Sequence, residues 1–182
     1  MTRDERIRLF CALELPEDAR AHLAAWGDEA LHGGRRVRAD DLHVTLAFLG
    51  SRPRADVPGI AAELGAAASS AAGRIELQPR SYRETRGAGM IVLDDMDGRA
   101  AALAADLRQR LERLGVLRPT SRPWLPHVTV VRFRKPAGLH PPVANMCSIH
   151  VVRSALYRSS LGSGGARYDA LETAALGVGG ST

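Results

Sequence analysis

The stretch Asp41-Leu42-His43-Val44-Thr45-Leu46-Ala47-Phe48-Leu49-Gly50 decides the fold of this 182-residue chain, because its His-Val-Thr returns as His127-Val128-Thr129 inside Pro126-His127-Val128-Thr129-Val130-Val131-Arg132. A strand sends alternate side chains to one face. His43 and Thr45 therefore project together, as do His127 and Thr129, while Val44, Leu46, Val128 and Val130 turn to a core. Pro126 suits a strand that begins at His127, since proline is tolerated at a strand's start and not in its middle. Two such strands can present two imidazoles and two hydroxyls to a single cleft.

That set suits displacement at phosphorus. One imidazole removes a proton from the attacking oxygen and the other protonates the leaving oxygen; an unperturbed imidazole titrates near pH ~6.5, so base and acid forms coexist near neutrality without a metal. The threonine hydroxyls would hold non-bridging phosphate oxygens. A lone His-x-Thr in an apolar strand reads as a hydrogen-bonded structural histidine, and it is the second copy, with the same alternation, that turns the reading toward catalysis.

On these motifs the chain resembles the two-histidine phosphoesterases, and within them the RNA 2′,3′-cyclic phosphodiesterases once named 2′-5′ RNA ligases. The resemblance also covers the opening Arg8-Leu9-Phe10-Cys11-Ala12-Leu13-Glu14-Leu15-Pro16 and the closing Ser159 to Tyr168. It implies an α+β, bilobal fold, pseudo-twofold duplicated, with two antiparallel sheets facing across a central groove and helices outside. It further implies hydrolysis of a terminal cyclic phosphate on RNA to a 2′-phosphomonoester, with no cofactor and no metal, His43 as general acid and His127 as general base. Thr45, Thr129 and Arg132 would bind the phosphate, the guanidinium fork suiting its oxygens. The segment from Arg80 to Leu93 departs from the family pattern, its aromatic absent or displaced.

Arg132 lies five positions after His127, so strict alternation puts it on the opposite face; it joins the cleft only if the strand bulges, twists or ends first. Phe10, Trp124 and Tyr168 are candidates for stacking on a terminal base, whereas Phe48 is assigned to the core by alternation from His43. His22, His32 and His140 read as surface residues, and His150 could face either way. Cys11 and Cys147 read as small buried hydrophobes. No His-x-His, His-Glu-x-x-His or cysteine pair completes a metal site. The glycine-rich Leu161-Gly162-Ser163-Gly164-Gly165 reads as a turn, lacking the Gly-Lys-Ser/Thr of a phosphate loop.

The net charge is +5 with a pI near 10.0, carried almost wholly by arginine, Lys135 being the sole lysine. Arg35, Arg36 and Arg38 before the first motif, and Arg118, Arg122, Arg132, Arg134 and Lys135 around the second, are expected near the cleft mouth, favouring a polyanion such as an RNA end. A genome rich in G and C would give the same composition. No apolar run is long enough to span a membrane and the start lacks a signal-type segment, so the expected compartment is the cytoplasm. The expected protein is a monomer with no obligate protein partner.

Helices are expected from Pro16, over 56–72 and over 98–114, where Leu103, Leu107, Leu111 and Leu114 fall at helical spacing before Gly115. Strands are expected at 8–14, 42–49, 75–79, 90–93, 127–133, 148–153 and 167–171. Residues 1–174 form one bilobal catalytic domain and 175–182 a flexible tail. Weak reverse 2′-5′ ligation would follow from exchanging the histidines' proton roles. Two other readings stay open: a phosphodiesterase for a small cyclic phosphate, such as a nucleotide or an ADP-ribose derivative, and a noncatalytic RNA-binding module.

Overall fold

A computed structural model describes residues 5–71, 73–143, 146–162 and 165–177. Strand β1 (Arg6–Glu14) leads to helix α1 (Glu17–Ala30). Strand β2 (Arg35–Arg36) and a 3-10 turn at Ala39–Asp41 lead into β3 (His43–Pro53). A second such turn at Arg54–Asp56 runs into α2 (Val57–Ser70), followed by the hairpin of β4 (Ile75–Glu84) and β5 (Ala88–Asp95). Helix α3 (Arg99–Arg113), β6 (His127–Arg132), β7 (Ile149–Val151), β8 (Arg153–Gly162) and β9 (Gly165–Ala175) complete the fold.

Local sequence explains the main elements. In α3, Leu103, Leu107 and Leu111 fall on one buried stripe, and the Asp95 carboxylate accepts from the Ala100 and Ala101 N–H groups at 3.3 and 2.8 Å, satisfying donors that a first helical turn leaves open. Leu114, expected to extend the stripe, caps the helix and is exposed. In β1, Leu9, Cys11 and Leu13 face the core, where burial pushes the Cys11 thiol up to about 12. Cys147, expected to be buried, is exposed just ahead of β7.

The strands form one antiparallel path, β7-β4-β5-β6-β3-β1-β8-β9, with β2 on the side of β6. Between β6 and β3 the path narrows to one pair, Val44 with Val128. The sheet thus curls as two halves, one built from β6, β5, β4 and β7 and the other from β3, β1, β8 and β9. Helix α1 packs against β6, α2 against β8 and β9, and α3 against β3, β5 and α2. No helix among the described residues is long and apolar enough to cross a membrane.

The strand expected over 148–153 is two strands. β7 pairs with β4 and β8 with β1, so the chain passes between the halves at the exposed Val152. Residues 175–177, expected in a flexible tail, are held: Ala175 belongs to β9, the Leu176 and Gly177 N–H groups donate to Val152 and Ala68 carbonyls at 2.9 Å, and Leu176 is buried. Residues 178–182, and Ser163 and Gly164 of the glycine-rich segment, lie outside the described residues.

Gly33 and Gly34 precede β2, both at positive φ. A Cβ on Gly33 would enter open space, whereas one on Gly34 would meet the Arg132 carbonyl oxygen and Val131 Cγ2 at 2.8 Å. Gly33→Ala is expected to cost about 1 kcal/mol for the left-handed backbone, and Gly34→Ala roughly 1–3 kcal/mol more for the contact with β6. Urea unfolding of both variants checks the difference.

Candidate active site

The pairing of Val44 with Val128 sets His43 across from Thr129, and Thr45 across from His127, on one face. The alternation is visible in burial: positions 43, 45, 127 and 129 are half-buried, while 44, 46, 128 and 130 are fully buried. Neither threonine hydroxyl has a hydrogen-bond partner among the described residues, so both can donate to a bound anion.

Both motif strands bulge one residue past the threonine. In β3, Thr45 pairs with Ala12 and Ala47 with Cys11, leaving Leu46 unmatched; in β6, Thr129 pairs with Met90 and Val131 with Gly89, leaving Val130 unmatched. A bulge reverses the alternation beyond it. The fifth residue after each histidine, Phe48 and Arg132, thus returns to the histidine's face. Strict alternation had sent both the other way. Arg132 lines a cavity of about 300 Å³ with His43, Thr45, Phe48 and Tyr168. Phe48, assigned from sequence to the core, is 55% exposed and lies under the Arg8 guanidinium, 5.5 Å from its ring centroid.

The histidines are held alike. His43 Nδ1 lies 2.7 Å from the Asp41 carbonyl oxygen and His127 Nδ1 lies 2.8 Å from that of Leu125, each two residues upstream. A carbonyl only accepts, so each Nδ1 carries the hydrogen, and Nε2 of the neutral ring is left with its lone pair. Asp41 itself is buried, and burial is the main influence raising its pKa, with the Arg38 charge and the Tyr168 backbone N–H acting in the opposite sense.

Their surroundings differ. Phe10, Tyr157 and Tyr168 enclose His43, at ring-centroid distances of 4.8, 6.2 and 5.2 Å. Burial above all pushes this imidazole down to about 4, with the Arg132 and His127 charges adding to the shift and the Asp41 carbonyl opposing it. His43 is therefore neutral in the free protein near pH 7, unlike the protonated acid expected from unperturbed values.

The three aromatic candidates for base stacking are differently placed. Phe10 is only 3% exposed and supports the His43 ring from below, which removes it as a stacking surface. Tyr168 meets His43 edge-on. Trp124 donates from Nε1 to the Thr45 carbonyl at 2.9 Å and, with Thr45, Phe48 and His127, lines a second cavity of about 840 Å³. The exposed ring that sequence reasoning missed is Phe48. Its signal, a bulge, lies in strand register rather than in residue type.

The basic residues expected near the cleft divide into two groups. Arg36 pairs with Asp28 and Arg38 with Asp40, so part of the cluster before the first motif is neutralised. Arg118 and Arg122 line the larger cavity. His22, His32 and His140 are exposed and His150 is half-buried. Among the described residues no three His, Cys, Asp or Glu side chains are grouped to hold a metal ion.

The family model described as the 2′-5′ RNA ligase superfamily matches residues 15–156. The chain is 34% identical over 181 residues to the RNA 2′,3′-cyclic phosphodiesterase of Escherichia coli strain K12, covering 93% of this chain and 96% of that protein. It is also 34% identical over 180 residues to the enzyme so named from Thermus thermophilus, covering 93% and 90%. Among solved structures, TT0787 of Thermus thermophilus superposes with a TM-score of 0.81 at 31% identity, over 94% of this chain and 99% of that one. E. coli LigT complexed with 3′-AMP gives 0.79 at 28% identity, over 95% and 99%.

The low affinity of His43 for protons has a stability consequence. Between pH 6.5 and about 4 the unfolded chain binds a proton there that the folded one does not, so stability is full above that window and is lost as pH falls through it, by roughly 3 kcal/mol. His43→Gln is expected to remove this part of the acid destabilisation. Urea midpoints of both proteins across that range measure it.

Proposed function

The chain belongs to the 2′-5′ RNA ligase superfamily, and from that membership we propose that it hydrolyses RNA 2′,3′-cyclic phosphate ends to 2′-phosphomonoesters without a metal. The observation that carries this reading is the set of four side chains at the Val44–Val128 junction: two imidazoles with the same tautomer, each opposite a threonine hydroxyl unpartnered among the described residues.

In this mechanism His127 Nε2 takes a proton from water as its oxygen bonds to phosphorus. The bond from phosphorus to O3′ breaks and His43 Nε2 delivers a proton to that oxygen, leaving a 3′-hydroxyl and a 2′-phosphate. The Nδ1–H bonds to the Asp41 and Leu125 carbonyls hold both Nε2 atoms toward the cleft and stabilise each imidazolium. Thr45, Thr129 and Arg132 meet the non-bridging oxygens as charge builds on them. The terminal base stacks on the exposed face of Phe48, at the junction of the two cavities. Reversal of the same proton transfers is weak 2′-5′ ligation.

His43 must gain a proton before it can donate one. A phosphodiester anion in the cleft opposes the Arg132 charge and favours imidazolium, and a buried imidazolium yields its proton readily. The same burial favours a second assignment, in which neutral His43 is the base and His127 the acid. Leaving-group chemistry separates the two, because the general acid matters little when the leaving oxygen is already a stable anion.

The expected outcome with a short RNA ending in a cyclic phosphate, in EDTA, is a 2′-phosphate product and a ~10²–10⁴-fold loss of kcat in each of His43→Ala and His127→Ala. Loss of activity in the chelator, or unchanged turnover in both variants, overturns the reading. Arg132→Ala is expected to lose roughly 10²–10³-fold. On a phosphodiester with a nitrophenolate leaving group, His43→Ala recovers toward the wild-type rate and His127→Ala does not; the opposite pattern assigns the acid role to His127.

A further inference from the structure

The larger cavity runs from Thr45 and His127 past Trp124 to a wall that holds Arg52, Arg83, Arg108, Arg118 and Arg122, and no Asp or Glu lines it. Elsewhere about half of the described arginines are paired with a carboxylate. Arg20, Arg36, Arg38, Arg54, Arg80, Arg99, Arg110, Arg153 and Arg158 each meet a carboxylate. On the cavity wall only Arg52 does, through Asp56. Arg83, Arg108, Arg118 and Arg122 have no carboxylate partner among the described residues.

These four come from three parts of the chain: Arg83 from β4, Arg108 from α3, and Arg118 and Arg122 from the segment before β6. That segment is anchored at both ends of its final stretch. Trp124 Nε1 donates to the Thr45 carbonyl, and the Leu93 N–H donates to the Pro126 carbonyl, each at 2.9 Å. The end of that segment is therefore held beside the Val44–Val128 junction. With a volume of about 840 Å³, the cavity is near the upper end of the ~300–1,000 Å³ usual for small-molecule sites. It meets the His43 cavity at Thr45 and Phe48.

Resting on the RNA-end reading, we infer that this groove is the track for the strand upstream of the cyclic phosphate, its four unpaired arginines contacting the backbone of the preceding nucleotides. The substrate class is then an oligoribonucleotide end rather than a cyclic mononucleotide. A wall of like charges with no internal counter-ion is costly unless small ions or a polyanion occupy it, and a strand that replaces those ions gains the entropy of their release. Leu117, Leu125 and Trp124 give the groove apolar surface against which bases can lie without sequence preference.

The test compares kcat/KM for a short oligoribonucleotide 2′,3′-cyclic phosphate with that for the cyclic mononucleotide, across a salt series. Wild type is expected to favour the oligonucleotide, with a preference that falls as salt rises. Arg118→Ala/Arg122→Ala is expected to reduce that preference about tenfold and the salt slope by roughly 0.7 for each phosphate contact removed. Arg113→Ala, which removes an exposed charge outside the groove, is the control and is expected to keep both. Equal kcat/KM for the two substrates, or a preference unchanged in the double variant, overturns the track while leaving the cyclic-phosphate reading intact. No turnover of either substrate defeats that reading and the track together.

Discussion

One backbone pairing, Val44 with Val128, holds the site together. Everything chemical in the molecule flanks it: the histidine and threonine of each motif, the two cavities, and the bulges that follow. Both valines are fully buried, so a one-residue slip would send the imidazoles into the core and the valines into the cleft, a cost that fixes the register. The strands separate beyond that pair, and the separation is what opens a groove between the two halves of the sheet. A longer ladder would close the cleft. A missing one would leave the histidines on unrelated surfaces.

Around that junction the protein keeps backbone geometry constant and varies the environment. Each histidine donates to a carbonyl two residues upstream, which removes the choice of tautomer and aims Nε2 outward. The neighbours then separate the pair. Three aromatic rings surround His43, whereas His127 opens onto the arginine-walled cavity. Burial disfavours a charged imidazole at His43, so the repeated motif does not repeat its environment.

Much of this was legible in the sequence. The two motif strands, the leucine stripe of α3 and the membership of the shared face follow from periodicities of two and 3.6. β8 was mostly missed because Tyr157-Arg158-Ser159-Ser160 carries no apolar alternation; it is a strand because β1 and β9 supply its ladder partners on both sides. The positions of Phe48 and Arg132 depend on which residue is skipped in pairing, a property of two strands together. The arginines pose the same difficulty. Residue type says that they are cations, but only the folded chain says which of them have carboxylates beside them.

The bulges also make the two motifs unequal. A repeated His-x-Thr on two regular strands would give equivalent sites, because residues of either sign or shape placed at the fifth position would point away from the cleft. By reversing alternation after each threonine, the fold brings that position back, and the chain fills it differently: a flat apolar ring at Phe48 and a cationic fork at Arg132. A ring can receive a base but cannot neutralise a phosphate, and a fork on a phosphate is committed to it. In the proposed reaction this orients the substrate before either histidine acts, base toward the first motif and phosphate toward the arginine of the second. The asymmetry that hydrolysis needs is thus written at the two positions where the strands depart from regularity.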